Sequence, residues 1–380
     1  MLLLEHDAKT LLAAAGVHIP PGLLLAPATD AALPPGPWVV KAQVPAGGRG
    51  KAGAIRPADS IEEVRAAAAA LTAMTLKGHA VRACRVEQRV RGHEAYASLA
   101  IDPAAAGVRL LFSAHGGAEI EALHAADRVV RDALVAPDPE AAIHGFETLI
   151  AAAAPPPLGP PLRVAAARLA AAFFRYEAKL IEINPLFLAE DGGWVAGDAK
   201  MILDPNAIPR QPAIEALIRD RREAYPDAFL KLETGFDYIE IDPDGEIGLL
   251  TTGAGLSMML IDELTARGLR PFNFCDIRTG QLRGDPRRLV QALSWIAAGP
   301  RVRAVLVNIF AGITDLGEFA RLLVAAMRAV PALGVPVVAR IIGNGFDAAC
   351  RIIAAADLAL RVEPDLDRAI AAAAAPETLR

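Results

Sequence analysis

The sequence predicts an α/β chain in two parts, and three observations carry that prediction. In the second half, near-continuous apolar strands each end in a glycine turn: residues 248–252 before Gly253-Ala-Gly255, 302–308 before Ala311-Gly312, and 335–342 before Gly343-Asn344-Gly345. Strands this apolar are buried on both faces. With a helix after each, they indicate a doubly wound parallel sheet whose ligands sit at the carboxyl ends of the strands. In the first half, alternating strands at 81–90, 93–101 and 108–113, together with a hairpin opening at Leu180, mix with helices in an α+β pattern. Between the halves runs a Pro-punctuated, charged segment from Asp204 to Asp227. It sets a boundary near Thr234-Gly235 and divides the chain into domains 1–234 and 235–380.

Bulk properties exclude several classes. A chain of 380 residues has ample core, and 53% hydrophobic with 22% charged residues is globular. A net charge of -5 with interspersed cations carries no nucleic-acid footprint. Cys84, Cys275 and Cys350 form no CxxC pair, so neither a disulfide framework nor a zinc site is indicated. The N-terminus, Met-Leu-Leu-Leu-Glu-His-Asp, places acid where a signal peptide would be apolar, and no apolar run spans a membrane. A cytoplasmic location without a membrane partner is therefore expected.

Taken in order, residues 1–16 form an amphipathic helix ending at Gly16, followed by a Pro-Pro-Gly22 stop. Trp38-Val-Val-Lys41-Ala-Gln43 is a buried strand running into Gly47-Gly48-Arg49-Gly50-Lys51-Ala-Gly53. Glycines let backbone N–H groups turn toward a phosphate, and Lys41, Arg49 and Lys51 supply charge. It is not a Walker loop, because Pro45 replaces the first glycine and Ala52 the Ser or Thr. Ser60 with Glu63 is a capping box that opens an Ala-rich helix. Glu87 and Glu94 flank a strand connection, where a carboxylate accepts from a ribose hydroxyl or nucleotide amine, or is simply a solvated edge charge.

A helix at 163–175 leads into the hairpin Leu180-Ile-Glu182-Ile-Asn184-Pro185, with its turn at Glu190-Asp191-Gly192-Gly193 and a second strand delivering Asp198 and Lys200. Glu182, Asn184 and Asp198 offer hard oxygen ligands that suit Mg2+ shared with substrate phosphates. The alternative is a solvated hairpin; polar groups inside an apolar strand favour the metal when a phosphate loop exists elsewhere. Gly253-Ala-Gly255 lacks the third glycine of a dinucleotide fingerprint, which argues against NAD. A helix opening at Gly312-Ile313-Thr314 presents free N–H groups to an anion, or simply packs closely against a strand.

Six motifs occur in order: Val-Val-Lys-Ala-Gln with Ala-Gly-Gly-Arg-Gly-Lys-Ala-Gly; Gly-Gly-Ala-Glu-Ile-Glu; Leu-Ile-Glu-Ile-Asn-Pro-Leu; Asp-Ala-Lys-Met; Gly-Ala-Gly-Leu; and Val-Leu-Val-Asn-Ile-Phe-Ala-Gly-Ile. Together they resemble the beta subunit of succinyl-CoA synthetase, in the acid–CoA ligases that include malate–CoA ligase. The resemblance implies an ATP-grasp domain followed by a flavodoxin-like CoA-ligase domain. It implies ATP and Mg2+, a carboxylic acid, and an alpha subunit that carries the phosphohistidine and the CoA site, as a heterodimer or a dimer of heterodimers. Carried over by position, Lys41, Gly48, Arg49 and Gly50 contact nucleotide phosphates. Glu87 and Val90 line the adenine hinge and Glu94 meets the ribose. Asn184 and Asp198 hold Mg2+, and Glu182 orients the visiting phosphohistidine. Thr252, Gly312, Ile313 and Thr314 contact the acid or phosphate.

Three turns depart from the family pattern: Thr252 stands for Asn, Asp276-Ile-Arg278-Thr-Gly280-Gln281 for Asp-Val-Gly-Gly-Gly-Ala, and Thr314-Asp315-Leu316 for Arg-Cys-Asp. They point to an acid other than plain succinate, hydroxylated or carrying a second anionic group met by Arg278. A carboxylate–amine ligase and a non-catalytic regulatory subunit are the other readings.

Overall fold

The computed structural model describes residues 1–25, 32–117, 130–189, 192–312 and 314–379. They pack as two compact units, Met1–Leu217 and Ile218–Arg380, so the division falls inside the Pro-punctuated segment. No described helix is long and apolar enough to cross a membrane.

The first unit opens with α1 (Glu5–Ala14), β1 (Gly22–Leu25), β2 (Trp38–Ala42), β3 (Ile55–Ala58), α2 (Ile61–Thr72), the short pair β4 (Thr75–Leu76) and β5 (His79–Ala80), and β6 (Cys84–Gln88). An antiparallel sheet follows the order β1-β6-β2-β3. Val64, Ala67 and Leu71 recur at helical spacing on α2 and pack on Val40, Ala42 and Val86 of that sheet. Ser60 Oγ caps α2 by accepting from Glu63 N at 3.1 Å, while Glu63 reaches back to Asp59 N, one residue before the cap.

A second sheet is built from β7 (His93–Asp102), β8 (Gly107–Ser113), β9 (Arg131–Val135), β10 (Ala178–Leu188), β11 (Trp194–Ala196) and β12 (Lys200–Leu203), with helices α3 (Pro139–Ala153) and α4 (Gly159–Arg175) between β9 and β10. Its order is β11-β10-β7-β8-β9, with β12 also on β10. The hairpin from Leu180 forms as the alternation of apolar residues predicts, Leu186 opposite Ala196. Pro185 has no N–H to give, and the β7–β10 ladder shifts register between Ile183 and Leu186. The turn residues Glu190 and Asp191 lie outside the described residues.

Helix α5 (Pro212–Asp220) spans the division. The second unit then runs α6 (Pro226–Thr234), β13 (Asp237–Glu240), β14 (Ile247–Thr251), α7 (Ala254–Ala266), β15 (Asn273–Asp276), α8 (Arg287–Ala297), β16 (Ala304–Ala311), α9 (Leu316–Ala329), β17 (Val337–Gly343), α10 (Phe346–Ala354), β18 (Leu360–Val362) and α11 (Leu366–Ala374). The sheet order is β13-β15-β14-β16-β17-β18, parallel except where β13 meets β15. Along β16, Val305, Val307 and Ile309 enter the core under α8, α9 and α10, while Ala304 and Leu306 enter the core under α7 and α11. Both faces being buried is why the strand reads as one apolar run.

The carboxyl ends of β14, β16 and β17 lie along one edge. There Gly343 adopts φ 146°, and a Cβ would collide with the Ala311 carbonyl, so only glycine lets β17 leave the sheet beside β16. One expectation is corrected. The helix foreseen at Gly312 begins at Leu316, because the Asp315 carboxylate supplies the cap, accepting from Glu318 N at 2.8 Å. Gly312 and Thr314 therefore belong to the turn before it.

Candidate active site

The glycine loop and the Leu180 hairpin of the first unit open onto one cavity of about 360 Å3. Lys41, Gly48, Arg49, Gly50, Glu87 and Val90 line it from the first sheet and its loop. Glu182, Asn184 and Asp198 line it from the hairpin. Glu94 is not in the lining. It is exposed, opposite Phe187 on β10, with its carboxylate beside the backbone of Gly117, which does line the cavity. Among the described residues no histidine lines this space.

A network of charge runs from these lining residues to the buried Lys9 and Arg85. Arg49 Nη2 bonds both Asp198 oxygens at 2.7 and 2.9 Å, its Nη1 donates to the Ala42 carbonyl at 3.0 Å, and Nη1 also lies 2.7 Å from Glu5 Oε2. Lys41 Nζ sits 2.9 Å from Glu5 Oε1, 2.7 Å from Glu87 Oε1 and 2.5 Å from the Gly197 carbonyl. Lys9 Nζ meets Glu5 at 2.8 Å, both Glu87 oxygens at 2.8 and 2.9 Å, and the same Gly197 carbonyl at 2.8 Å. Arg85 Nε closes the set on Glu87 Oε2 at 2.6 Å. The Glu87 carboxylate is thus taken up by three cations.

Burial alone would raise the carboxyl pKa of Glu5, but Arg49, Lys41 and Lys9 together overcome it and hold it well below the ordinary 4.5. Glu87 follows the same balance, with burial opposed by Lys9 and Lys41, and also ends below 4.5. Lys41 ends above its ordinary value, because Glu5, Glu87 and Asp198 outweigh its desolvation. Both carboxyls titrate lower in the folded chain than in the unfolded one, so the unfolded chain binds more protons in acid. Their stabilisation is present above pH 4.5 and is lost as the pH falls through the folded values. The first unit, followed by Trp38 and Trp194 fluorescence, is expected to unfold on acidification below 4.5, with a shallower loss in Glu5→Gln. A wild-type signal flat down to pH 2 contradicts this.

Asn184 is fixed by a reciprocal pair with Gly117: its Oδ1 accepts from Gly117 N at 2.7 Å and its Nδ2 donates to Gly117 O at 3.0 Å. One Oδ1 lone pair remains for another partner. Asp198 is also held by Ala199 N at 2.7 Å. Residues 118–121 of the Gly-Gly-Ala-Glu-Ile-Glu motif lie outside the described residues.

In the second unit three hydroxyls converge from three turns. Thr279 N donates to Thr252 Oγ1 at 3.4 Å, and Thr314 Oγ1 donates to Thr279 Oγ1 at 3.2 Å. Gly253 N donates to Asp276 Oδ1 at 2.9 Å. Arg278 takes φ 53° and donates from Nη2 to Asp237 Oδ2 at 2.8 Å, so its charge already has a counter-ion. Gly312 directly follows β16, two residues before Thr314, and Ile313 lies outside the described residues.

Sequence reasoning missed Glu5, Lys9, Arg85 and Thr279. The signal for the first two was present: Glu5, Ala8, Lys9 and Leu12 occupy one helical stripe, so two opposite charges stood on the face that a helix buries.

The first unit thus sets a glycine-rich loop facing oxygen donors across one cavity, and the second is a doubly wound sheet. The ATP-grasp domain family matches residues 2–188 and the CoA-ligase family residues 250–374. The chain is 35% identical over 364 residues to the beta subunit of the ADP-forming succinate–CoA ligase of Rubrobacter xylanophilus, covering 93% of this chain and 92% of that one. It is 36% identical over 363 residues to the beta subunit of the GDP-forming enzyme of Thermus thermophilus, covering 93% of each. In fold it is similar to ATP citrate lyase from Methanothrix soehngenii, solved with citrate and coenzyme A, at a TM-score of 0.74 and 17% identity over 98% of this chain and 99% of that one. The chain belongs to the family of succinate–CoA ligase beta subunits, and with it to the ADP-forming acid–CoA ligases.

Proposed function

We propose that this chain is the nucleotide-handling beta subunit of an acid–CoA ligase that charges a histidine on an alpha-type partner. The observation that carries this reading is the convergence of Lys41, Arg49 and the Gly48–Gly50 backbone with Glu182, Asn184 and Asp198 on one cavity. Phosphoryl transfer needs positioning and charge neutralisation more than covalent groups from the protein, and this lining supplies both. Lys41, Arg49 and the loop amides hold the phosphates. Val90 borders the adenine, and Glu94, beside Gly117, borders the ribose.

The donor chemistry fits Mg2+. Asp198 and the remaining lone pair of Asn184 Oδ1 are hard oxygen ligands, and Mg2+ takes one or two such groups alongside phosphates and water. Bound there, Mg2+ would neutralise developing phosphate charge. Asp198 would then exchange its contact with Arg49 for the metal and free the guanidinium for phosphate.

The γ-phosphoryl passes to the partner histidine as ADP leaves, and Glu182 orients that imidazole. The acid carboxylate then takes the phosphoryl to form an acyl phosphate, and the CoA thiol displaces phosphate to give the thioester.

For the acid, a hydroxylated dicarboxylate is the reading that Thr252, Thr279 and Thr314 favour, because three convergent hydroxyls can both donate to and accept from a substrate hydroxyl. Arg278, which already pairs with Asp237, is the weaker support for a second anionic group. Co-expression with an alpha-type subunit, followed by ADP release measured over succinate, malate, other acids and amine acceptors, tests the whole reading. The expected result is release that requires both CoA and acid, with malate preferred. Release with amines but without CoA points to a carboxylate–amine ligase, and binding of ATP without any turnover to a regulatory subunit.

A further inference from the structure

Helix α1 places two opposite charges, one turn apart, at the nucleotide cavity, Glu5 in its lining and Lys9 behind it, with side chains 1% exposed for Glu5 and 0% for Lys9. Burying such a pair costs several kcal/mol per ion in desolvation, and stability alone does not explain its presence. What distinguishes Glu5 is its reach. Oε1 contacts Lys41 at 2.9 Å and Oε2 contacts Arg49 at 2.7 Å, so a single carboxylate spans both cations that face the phosphates. Their other carboxylate partners do not: Lys41 pairs with Glu87 on β6 of the first sheet, and Arg49 with Asp198 beside β12 of the second.

The segment that carries Glu5 is anchored to the second sheet, because Leu3 N donates to Met201 O at 3.0 Å on β12. Lys41 belongs to β2 of the first sheet. Glu5 is therefore the tie through which two cations of the first sheet and its loop are held to a segment anchored on the second sheet. Four cations, Lys9, Lys41, Arg49 and Arg85, face three carboxylates, Glu5, Glu87 and Asp198, which leaves one positive charge over for a phosphate.

We propose that Glu5 is a positioning residue for the nucleotide phosphates, pinning Lys41 and Arg49 to a common carboxylate with Lys9 as its buried counter-ion. The proposal rests on the reading of the first unit as a nucleotide site and assigns that site a residue outside the phosphate loop and the metal hairpin. Without Glu5, Lys41 is left to Glu87 and Arg49 to Asp198, and the two cations no longer hold a fixed separation. Contacts to adenine and ribose, at Val90 and Glu94, do not pass through this tie.

The test uses the complex with its alpha-type partner and compares wild type, Glu5→Gln, and Glu5→Gln/Lys9→Met, which keeps the one net positive charge. Affinity for ATP and for adenosine is read by competition with a fluorescent nucleotide, alongside kcat/KM for ATP. The expected result for Glu5→Gln is a loss of about 100-fold in kcat/KM, the scale of a small misplacement of reacting groups. ATP affinity should fall while adenosine affinity stays at the wild-type value, and the double variant should repeat the deficit. A role in folding alone would lower ATP and adenosine affinity together, and that outcome overturns the proposal. So does unchanged ATP affinity in Glu5→Gln, or recovery in the double variant, which would reduce Glu5 to charge balance. Wild-type complex that binds no ATP overturns the nucleotide reading itself, and this role with it.

Discussion

Asp198→Ala is expected to lower Mg-ATP-dependent phosphorylation of the partner histidine by roughly 1000-fold, the scale on which removal of one charge-stabilising group from a preorganised site is felt. Asp198 would supply one of the two proposed metal ligands, and it receives both Arg49 bonds. Its loss would remove that ligand and leaves Arg49 with Glu5 as its remaining carboxylate. The side chain is 26% exposed and its cation keeps a partner, so the melting temperature should move little. Phosphorylation falling at constant stability separates a site effect from a folding effect. Asp198→Asn, which keeps the shape and loses the charge, should behave nearly as badly. Unchanged phosphorylation in either variant contradicts the metal assignment.

Glu87→Gln should show the opposite pattern. Its carboxylate is 1% exposed and receives Lys9, Lys41 and Arg85. Removing one member of a buried ionic set leaves its partners uncompensated, at a cost of about 3–5 kcal/mol. For a unit of this size that is a fall of about 10 °C in melting temperature. Differential scanning calorimetry of the complex reads it directly. A melting temperature within a degree or two of wild type would show that the carboxylate is solvated and available to the nucleotide, as an adenine-hinge residue would be.

The contrast between these two carboxylates explains what was legible in the sequence. Asp198, Asn184 and Glu182 announce themselves because polar residues interrupt an apolar hairpin, and the glycine loop because its composition has few other uses. The doubly wound sheet was legible for a related reason: strands such as β16 are apolar on both faces, and each ends at a glycine. Glu87 was visible as a residue but not as a structural hub, since its partners come from α1, β2 and its own strand, and nothing in local pattern reports such convergence. Lys9 and Glu5 lie 78 and 82 positions away from it in the chain, and only folding brings them together. The start of α9 was misplaced by a local competition: Gly312 resembles a helix opening, but the Asp315 carboxylate three residues later caps more strongly. Arg278 was read as meeting a second anionic group of the substrate or as a solvated turn residue, and its pairing with Asp237, on the strand antiparallel to β15, lay beyond any local signal.

The central claim is that this cavity energises a histidine on another chain. The most direct measurement incubates the purified complex with Mg-ATP labelled at the γ-phosphate and locates the label. The account predicts acid-labile phosphate on a histidine of the alpha-type subunit, formed only when this chain is present and discharged by the carboxylic acid together with CoA. Label retained on this chain, or none on the partner while ATP is bound, would contradict it.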